Sequence, residues 1–229
     1  MIPTSLIDAL RPITVVVGHY GSGKTNFTLN VALDLKAAGR NVAVVDLDIV
    51  NPYFRASEHR VQLEAAGVQL VAPVYSEAAT SLDVPSLTGL VDTTLRDASE
   101  NTIALIDAGG DDVGATALGR YARVIREREH AVLYVANRFR NLVADTNDAL
   151  QNLREIEQAS HLSATVLVNN SHLKEATNGE TIVAGIAYAR ELSELCGLEV
   201  VCTTVPANLN RNNVENAYQI AQHVRNPWE

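Results

Sequence analysis

Short apolar runs without polar alternation recur along the chain, separated by stretches long enough for several helical turns. Valine and isoleucine dominate the runs, as in strands buried on both faces. They predict strands at Ile13–Val17, Val42–Asp46, Val68–Val71, Thr102–Asp107, Ala131–Val135, Ala164–Val168 and Glu199–Thr203. The intervening patterns predict helices over Lys24–Ala38, Ala56–Ala66, Ser86–Ala98, Thr116–Glu127, Leu142–Gln158, Glu180–Leu195 and Asn213–Val224. Gly39, Gly67 and Gly197 stand where three of these helices should stop. Strand and helix in alternation imply an α/β fold, a doubly wound, mainly parallel sheet with helices on both faces. With no internal repeat or linker-like stretch, residues 1–229 read as a single domain.

In such a sheet, ligands bind beyond the carboxyl ends of the strands, so the residues after each run matter most. After the first stands Gly18-His19-Tyr20-Gly21-Ser22-Gly23-Lys24-Thr25, a full match to GxxxxGK[ST]. Glycines there permit a tight turn whose backbone N–H groups face phosphate oxygens, and the following helix adds the positive end of its dipole. Gly18, Gly21, Ser22, Gly23 and Asn26 are the candidate cradle. Lys24 would neutralise the β- and γ-phosphates, and Thr25 would ligate Mg²⁺. After the second run come Asp46 and Asp48, placed to hold metal-bound water or orient an attacking one. After the fourth comes Asp107-Ala108-Gly109-Gly110, where Asp107 is the candidate second metal-holding element and Gly110 offers a backbone N–H to the γ-phosphate.

Composition narrows the partners. The chain carries 18 basic against 27 acidic residues, a net charge of −9, which disfavours a general nucleic-acid surface. Its two cysteines, Cys196 and Cys202, form no CxxC pair, which argues against a zinc or iron–sulfur site and fits a reducing compartment. No apolar stretch reaches transmembrane length, and the expectation is a cytoplasmic protein.

The stretch GSGKTNFTLNVALDLKAAGRNVAVVDLD resembles the N-terminal signature of the MinD/ParA and CobQ/CobB nucleotide-binding proteins, in the SIMIBI group of P-loop NTPases. The likeness includes Asn30, the LxxxGxxVxxxDxD rhythm from Leu35 to Asp48, and the DxxG from Asp107 to Gly110. Within that group the loop DLDIVNPYFR, Asp46 to Arg55, is similar to that of a bacterial ATP-binding branch. The resemblance implies that Lys24 and Thr25 bind phosphate and Mg²⁺, that Asp48 positions the attacking water, and that Asp46 and Asp107 support the metal. Lys24, Asp48 and Asp107 are thus the expected catalytic group. The resemblance also implies a homodimer formed around ATP and action on a further protein partner, not identified by the sequence.

One departure concerns position 19. MinD- and ParA-type proteins carry a signature lysine there that reaches a dimer partner's nucleotide, whereas this chain has His19. A shorter, mostly neutral imidazole implies slow basal turnover. Arg55, Arg138 and Arg140 lie on rim loops and could supply a cation, or simply be solvated. A second departure concerns the base. Val168-Asn169-Asn170-Ser171-His172 stands where GTPases carry NKxD, whose Asp accepts two hydrogen bonds from guanine. His172 cannot reproduce that double acceptor, so ATP is favoured over GTP. By resemblance to MinD-like proteins, Asn169 contacts adenine and Pro206 belongs to the base-pocket wall.

The leading expectation is therefore an Mg-dependent ATPase acting as a nucleotide-controlled switch through loops at 47–58 and 109–115. Two alternatives stand beside it: an ATP-dependent ligase or kinase-like enzyme of the dethiobiotin synthetase kind, and a non-hydrolysing ATP-binding module. The synthetases carry an EGxGG-like segment that Asp107–Gly110 does not match. MinD-like membrane attachment is not expected, since the tail NNVENAYQIAQHVRNPWE has one arginine and two glutamates.

Overall fold

All seven valine-rich runs become parallel strands, each within three residues of its expected bounds. In the computed structural model, residues 1–48, 55–72, 83–110 and 112–224 are described. The strands are β1 (Ile13–Val17), β2 (Asn41–Leu47), β3 (Gln69–Val71), β4 (Thr102–Ala108), β5 (His130–Ala136), β6 (Val166–Asn169) and β7 (Val200–Pro206). An eighth, β8 (Ala217–Ile220), extends the sheet, whose order is β3-β2-β4-β1-β5-β6-β7-β8. Every pairing between these eight strands is parallel. β1 lies centrally, between β4 and β5, where the strand order reverses, and a crevice opens at such a point beyond the strands' carboxyl ends.

Helices cover both faces. On one lie α1 (Thr4–Ala9), α2 (Lys24–Ala37) and α3 (Arg60–Ala65), sealed by Leu6, Phe27, Leu35 and Leu63 against Val16, Leu105 and Leu133. On the other lie α4 (Asp83–Asp97), α5 (Asp112–Gly119), α6 (Ala122–Arg126), α7 (Thr146–Ser160) and α8 (Gly179–Cys196). Their Leu95, Leu118, Ile125, Leu153 and Leu192 close over Val15, Ile106 and Val132. Successive residues of β1 thus enter opposite cores, which is why its sequence shows no polar alternation. None of the described helices is long and apolar enough to cross a membrane.

Four expected helices change. The Ala56–Ala66 helix opens as a tighter 3₁₀ turn over Ala56–His59 and is α-helical only over Arg60–Ala65. The Thr116–Glu127 helix is two, α5 and α6, broken where Gly119 packs so tightly that a Cβ would sit 2.9 Å from the Ala159 carbonyl. The helix expected from Leu142 begins at Thr146, because Asp145 accepts the Asn147 N–H at 2.8 Å and caps it there.

The fourth correction is at the C-terminal end: Asn213–Val224 is not a helix. Ala217–Ile220 pairs with Thr203–Pro206 of β7 instead. Tyr218 is fully buried, edge-on to Phe27 with ring centroids 6.0 Å apart, and Ile220 is buried beside it. The period-two burial of Tyr218 and Ile220 runs for only four residues, too short to outweigh the helical pattern around it. α1 was not anticipated either. It has only six residues, fixed by fully buried Leu6 and by the Ser5 hydroxyl donating to Val201 O of β7 at 2.6 Å.

Candidate functional site

β1 ends at Val17, and the chain turns at once through Gly18–Gly23 into α2. Gly23 is the α2 N-cap at φ +92°, and a Cβ there would collide with the Asn170 amide. Asn170, one residue beyond β6, is why the space is taken. Its amide nitrogen donates to Ser22 O at 2.6 Å, and its amide oxygen accepts the Thr204 hydroxyl at 2.6 Å. A fully buried asparagine thus ties the glycine-rich turn to β6 and β7. Sequence reasoning placed Asn170 only as a missing lysine; its double tie follows from the packing of three strand ends.

Lys24 is buried, and its ammonium donates to His19 O at 3.1 Å across the turn. Gly110, beyond β4, packs against the same group, and a Cβ there would lie 2.6 Å from both Lys24 Nζ and Tyr20 N. Only glycine lets the β4 end approach the loop this closely. The His19 Nδ1 donates to its neighbour's carbonyl, Tyr20 O, at 2.9 Å.

Carboxylates converge where β2 and β4 end side by side, with Asp46 and Asp107 in register. Asp107 is fully buried; its Oδ2 accepts the Thr25 hydroxyl at 2.7 Å, while its Oδ1 has no hydrogen-bond partner. Burial above all, then the Asp46 charge, pushes its carboxyl up to about 7, with the Thr25 hydrogen bond and Lys24 opposing the shift. Asp46 is also raised, chiefly by desolvation. Its two oxygens accept the Asp48 N–H at 3.1 Å and the Ser57 N–H at 2.9 Å, which bind it to the segment after β2. Asp48 Oδ1 lies against Gly109, 3.3 Å from where a Cβ would be. A buried carboxylate with an unsatisfied oxygen beside a threonine hydroxyl suits a divalent cation completed by water and phosphate oxygens. No cluster of three His, Cys, Asp or Glu able to cage a metal occurs among the described residues.

A cavity of about 700 Å³ opens above these groups. Gly21, Gly23, Lys24, Thr25, Asn26 and Asp48 line one side; Arg140, Asn170, His172, Lys174, Pro206 and Ala207 line another. The third wall, Ile220 to Gln222 with Val224, belongs to the segment misread as helix. Asn26 and Asn30 of α2 hold it. The Asn30 amide accepts from Ala221 N at 2.8 Å and donates to Ala221 O at 2.9 Å, while Asn26 Oδ1 accepts His223 N at 2.8 Å. Asn30 thus joins the loop's helix to the last strand.

The remaining expected residues fall unevenly. Asn169 is fully buried below the cavity, its amide donating to the Thr203 hydroxyl at 3.2 Å and its oxygen accepting Ser171 N. The structure does not bring it to the cavity wall. Arg55 is buried; Arg138 and Arg140 are both exposed, and of these two only Arg140 lines the cavity. The His172 Nδ1 accepts the Lys174 N–H at 3.1 Å, and burial with the Arg140 and Lys174 charges lowers its pKa to about 4. The ring is therefore neutral near pH 7. Residues 49–54, with the Asn51-Pro52 turn, and Asp111 lie outside the described residues.

The family described as CobQ/CobB/MinD/ParA nucleotide binding domain matches residues 13–182. A curated relative, the cytosolic Fe-S cluster assembly factor CFD1 of Yarrowia lipolytica, is 33% identical over 87 residues, 36% of this chain and 29% of that protein. The chain thus matches under a third of that relative's length. Among solved structures, the cell division protein FtsY of Thermotoga maritima has a TM-score of 0.53 at 18% identity, covering 84% of this chain and 62% of that one. The signal recognition particle 54 kDa protein of Aeropyrum pernix K1, in complex with GDP, has a TM-score of 0.57 at 15% identity, covering 83% and 40%. At such identities the likeness is one of fold.

Proposed function

The chain belongs to the CobQ/CobB/MinD/ParA nucleotide-binding family, and from that premise we propose that it is an Mg-ATP-dependent ATPase serving as a switch on another protein. The observation that carries this reading is the meeting of Thr25, Asp107, Asp46 and Asp48 beneath the phosphate loop. Gly18, Gly21, Ser22, Gly23 and Thr25 form the phosphate cradle, and Lys24 supplies its cation. Asn26 serves the site by holding its third wall. Mg²⁺, when bound, neutralises phosphate charge and orients the oxygens to be separated. Thr25 and Asp107 hold that ion, and Asp46, already engaged by two backbone N–H groups, supports them from behind. Asp48, at the cavity wall, orients the attacking water.

The switch reading rests on Asp46. One carboxylate at the metal site also holds Ser57 N, so a change at the phosphates reaches the segment after β2 directly. Its partner is a further protein or a second copy of this chain, acting in the cytoplasm, consistent with a relative named cytosolic. Cluster assembly is not carried over: Cys202 is fully buried and six residues from half-buried Cys196.

The base preference follows from the cavity's far side. Asn170 spends its amide on Ser22 and Thr204, and His172 is neutral with its Nδ1 already accepting, so neither offers guanine a paired acceptor. Pro206 and Ala207 give the base an apolar wall. Calorimetry with Mg-ATP and Mg-GTP tests this: ATP should bind more tightly, and equal affinities would defeat the assignment. Phosphate release from ATP at a slow but protein-dependent rate should accompany binding.

A further inference from the structure

Lys24 is the only lysine or arginine within the octamer Gly18–Thr25, and its ammonium donates to His19 O. Hydrolysis needs more. Water's oxygen bonds to the γ-phosphorus, and the bond from that phosphorus to the β–γ bridging oxygen breaks. Its electron pair stays on ADP, and one proton of the water leaves through the product phosphate. Negative charge grows on the bridging and outer oxygens during that step, and a second cation aimed there accelerates it.

The three rim arginines can now be told apart. Arg55 is buried in the segment after β2; Arg138 and Arg140 are both exposed, but Arg138 does not line the cavity. Arg140 lines it, with its side chain along the outer face of Gly21. A Cβ on Gly21 would lie 3.4 Å from Arg140 Nε and 3.5 Å from Cζ. Gly21, at φ +73°, belongs to the glycine-rich turn and lines the same cavity, so the guanidinium stands beside the loop at the cavity that would take the phosphates. Its loop is braced, since Asn137 O accepts Arg140 N at 3.2 Å and Arg140 O accepts Val143 N at 3.2 Å. Arg140 takes part in none of the ion pairs found among the described residues. Its charge is felt across the cavity, where it helps keep His172 neutral.

We propose that Arg140, on the loop after β5, is the charge-stabilising cation for phosphate cleavage, supplied within the same chain rather than by a second copy. This rests on the ATPase reading above. A guanidinium on a long flexible side chain beside the loop can move a short distance toward phosphate oxygens without moving the main chain, and its planar fork contacts two oxygens at once.

Single-turnover hydrolysis of Mg-ATP, with calorimetric ATP affinity, tests it in wild type, Arg140→Ala, Arg140→Lys and Arg138→Ala. Arg140→Ala should lower the rate about 10²–10³-fold while changing ATP affinity far less. Arg140→Lys should recover part of the loss, and Arg138→Ala should match wild type. The wild-type rate per molecule should not change on dilution. Unchanged hydrolysis in Arg140→Ala, or a rate per molecule that falls on dilution, would overturn the assignment while leaving the ATPase reading intact. A wild type that binds no Mg-ATP would instead overturn that reading, and this inference with it.

Discussion

Replacing Asn170 with alanine isolates how the phosphate loop is held. The side chain is buried and makes two bonds of 2.6 Å, one to Ser22 O and one from the Thr204 hydroxyl. After truncation the Thr204 hydroxyl keeps a longer bond to Asn169 O at 3.3 Å, but Ser22 O is left without its buried donor. A stranded buried acceptor costs about 1–3 kcal/mol and a lost bond about 1 kcal/mol, so the apo protein should lose about 2–4 kcal/mol. For a chain this long that is a fall of about 5–15 °C in Tm. Urea unfolding followed by circular dichroism should show a lower midpoint at unchanged slope. Gly23→Ala approaches the same contact from the other side, since its Cβ collides with the Asn170 amide while its φ of +92° strains the backbone. In the double variant the collision disappears and the strain remains, so the two losses should sum to more than the double variant loses. An unchanged midpoint in Asn170→Ala, or strict additivity in the double variant, would refute the view that this side chain fastens the loop.

Lys24→Ala should weaken triphosphate binding by about 2–4 kcal/mol, read by calorimetry, because it removes the cradle's own cation. Asp48→Asn should slow single-turnover hydrolysis and leave ATP affinity nearly intact, whereas Asp107→Asn should also reduce the Mg²⁺ dependence of binding; an Asp48→Asn variant as fast as wild type would remove that residue from the water-positioning role. His172 titrates at 6.5 in the unfolded chain and at about 4 when folded, so the unfolded state binds more protons between those values. Its contribution is full above pH 6.5 and is lost as pH falls toward 4, up to about 3 kcal/mol, and His172→Gln should flatten the stability profile measured by urea titration across that window.

The sheet was legible from the chain because its strands are buried on both faces. A run such as Ile13–Val17 has to lie between two apolar layers, whatever its neighbours, so it announces itself without tertiary information. The phosphate loop was legible for a similar reason. Its glycines and Lys24 are demanded by backbone geometry and charge within eight consecutive residues. Asp46 and Asp107 were placed by a simple rule, that they end strands, and parallel register brings those ends together. What the chain could not express locally is which side chain meets which across long separations. Asn170 and Ser22 are 148 positions apart, and Asn30 and Ala221 are 191 apart, so their partnership exists only once the strands are ordered. The last strand was misread because its four residues carry too short a period to compete with a helical pattern, and pairing with β7 decided the outcome. Arg140 differs from Arg138 by nothing in composition, and both are exposed; only the turn after β5 brings Arg140 beside Gly21 and into the cavity lining.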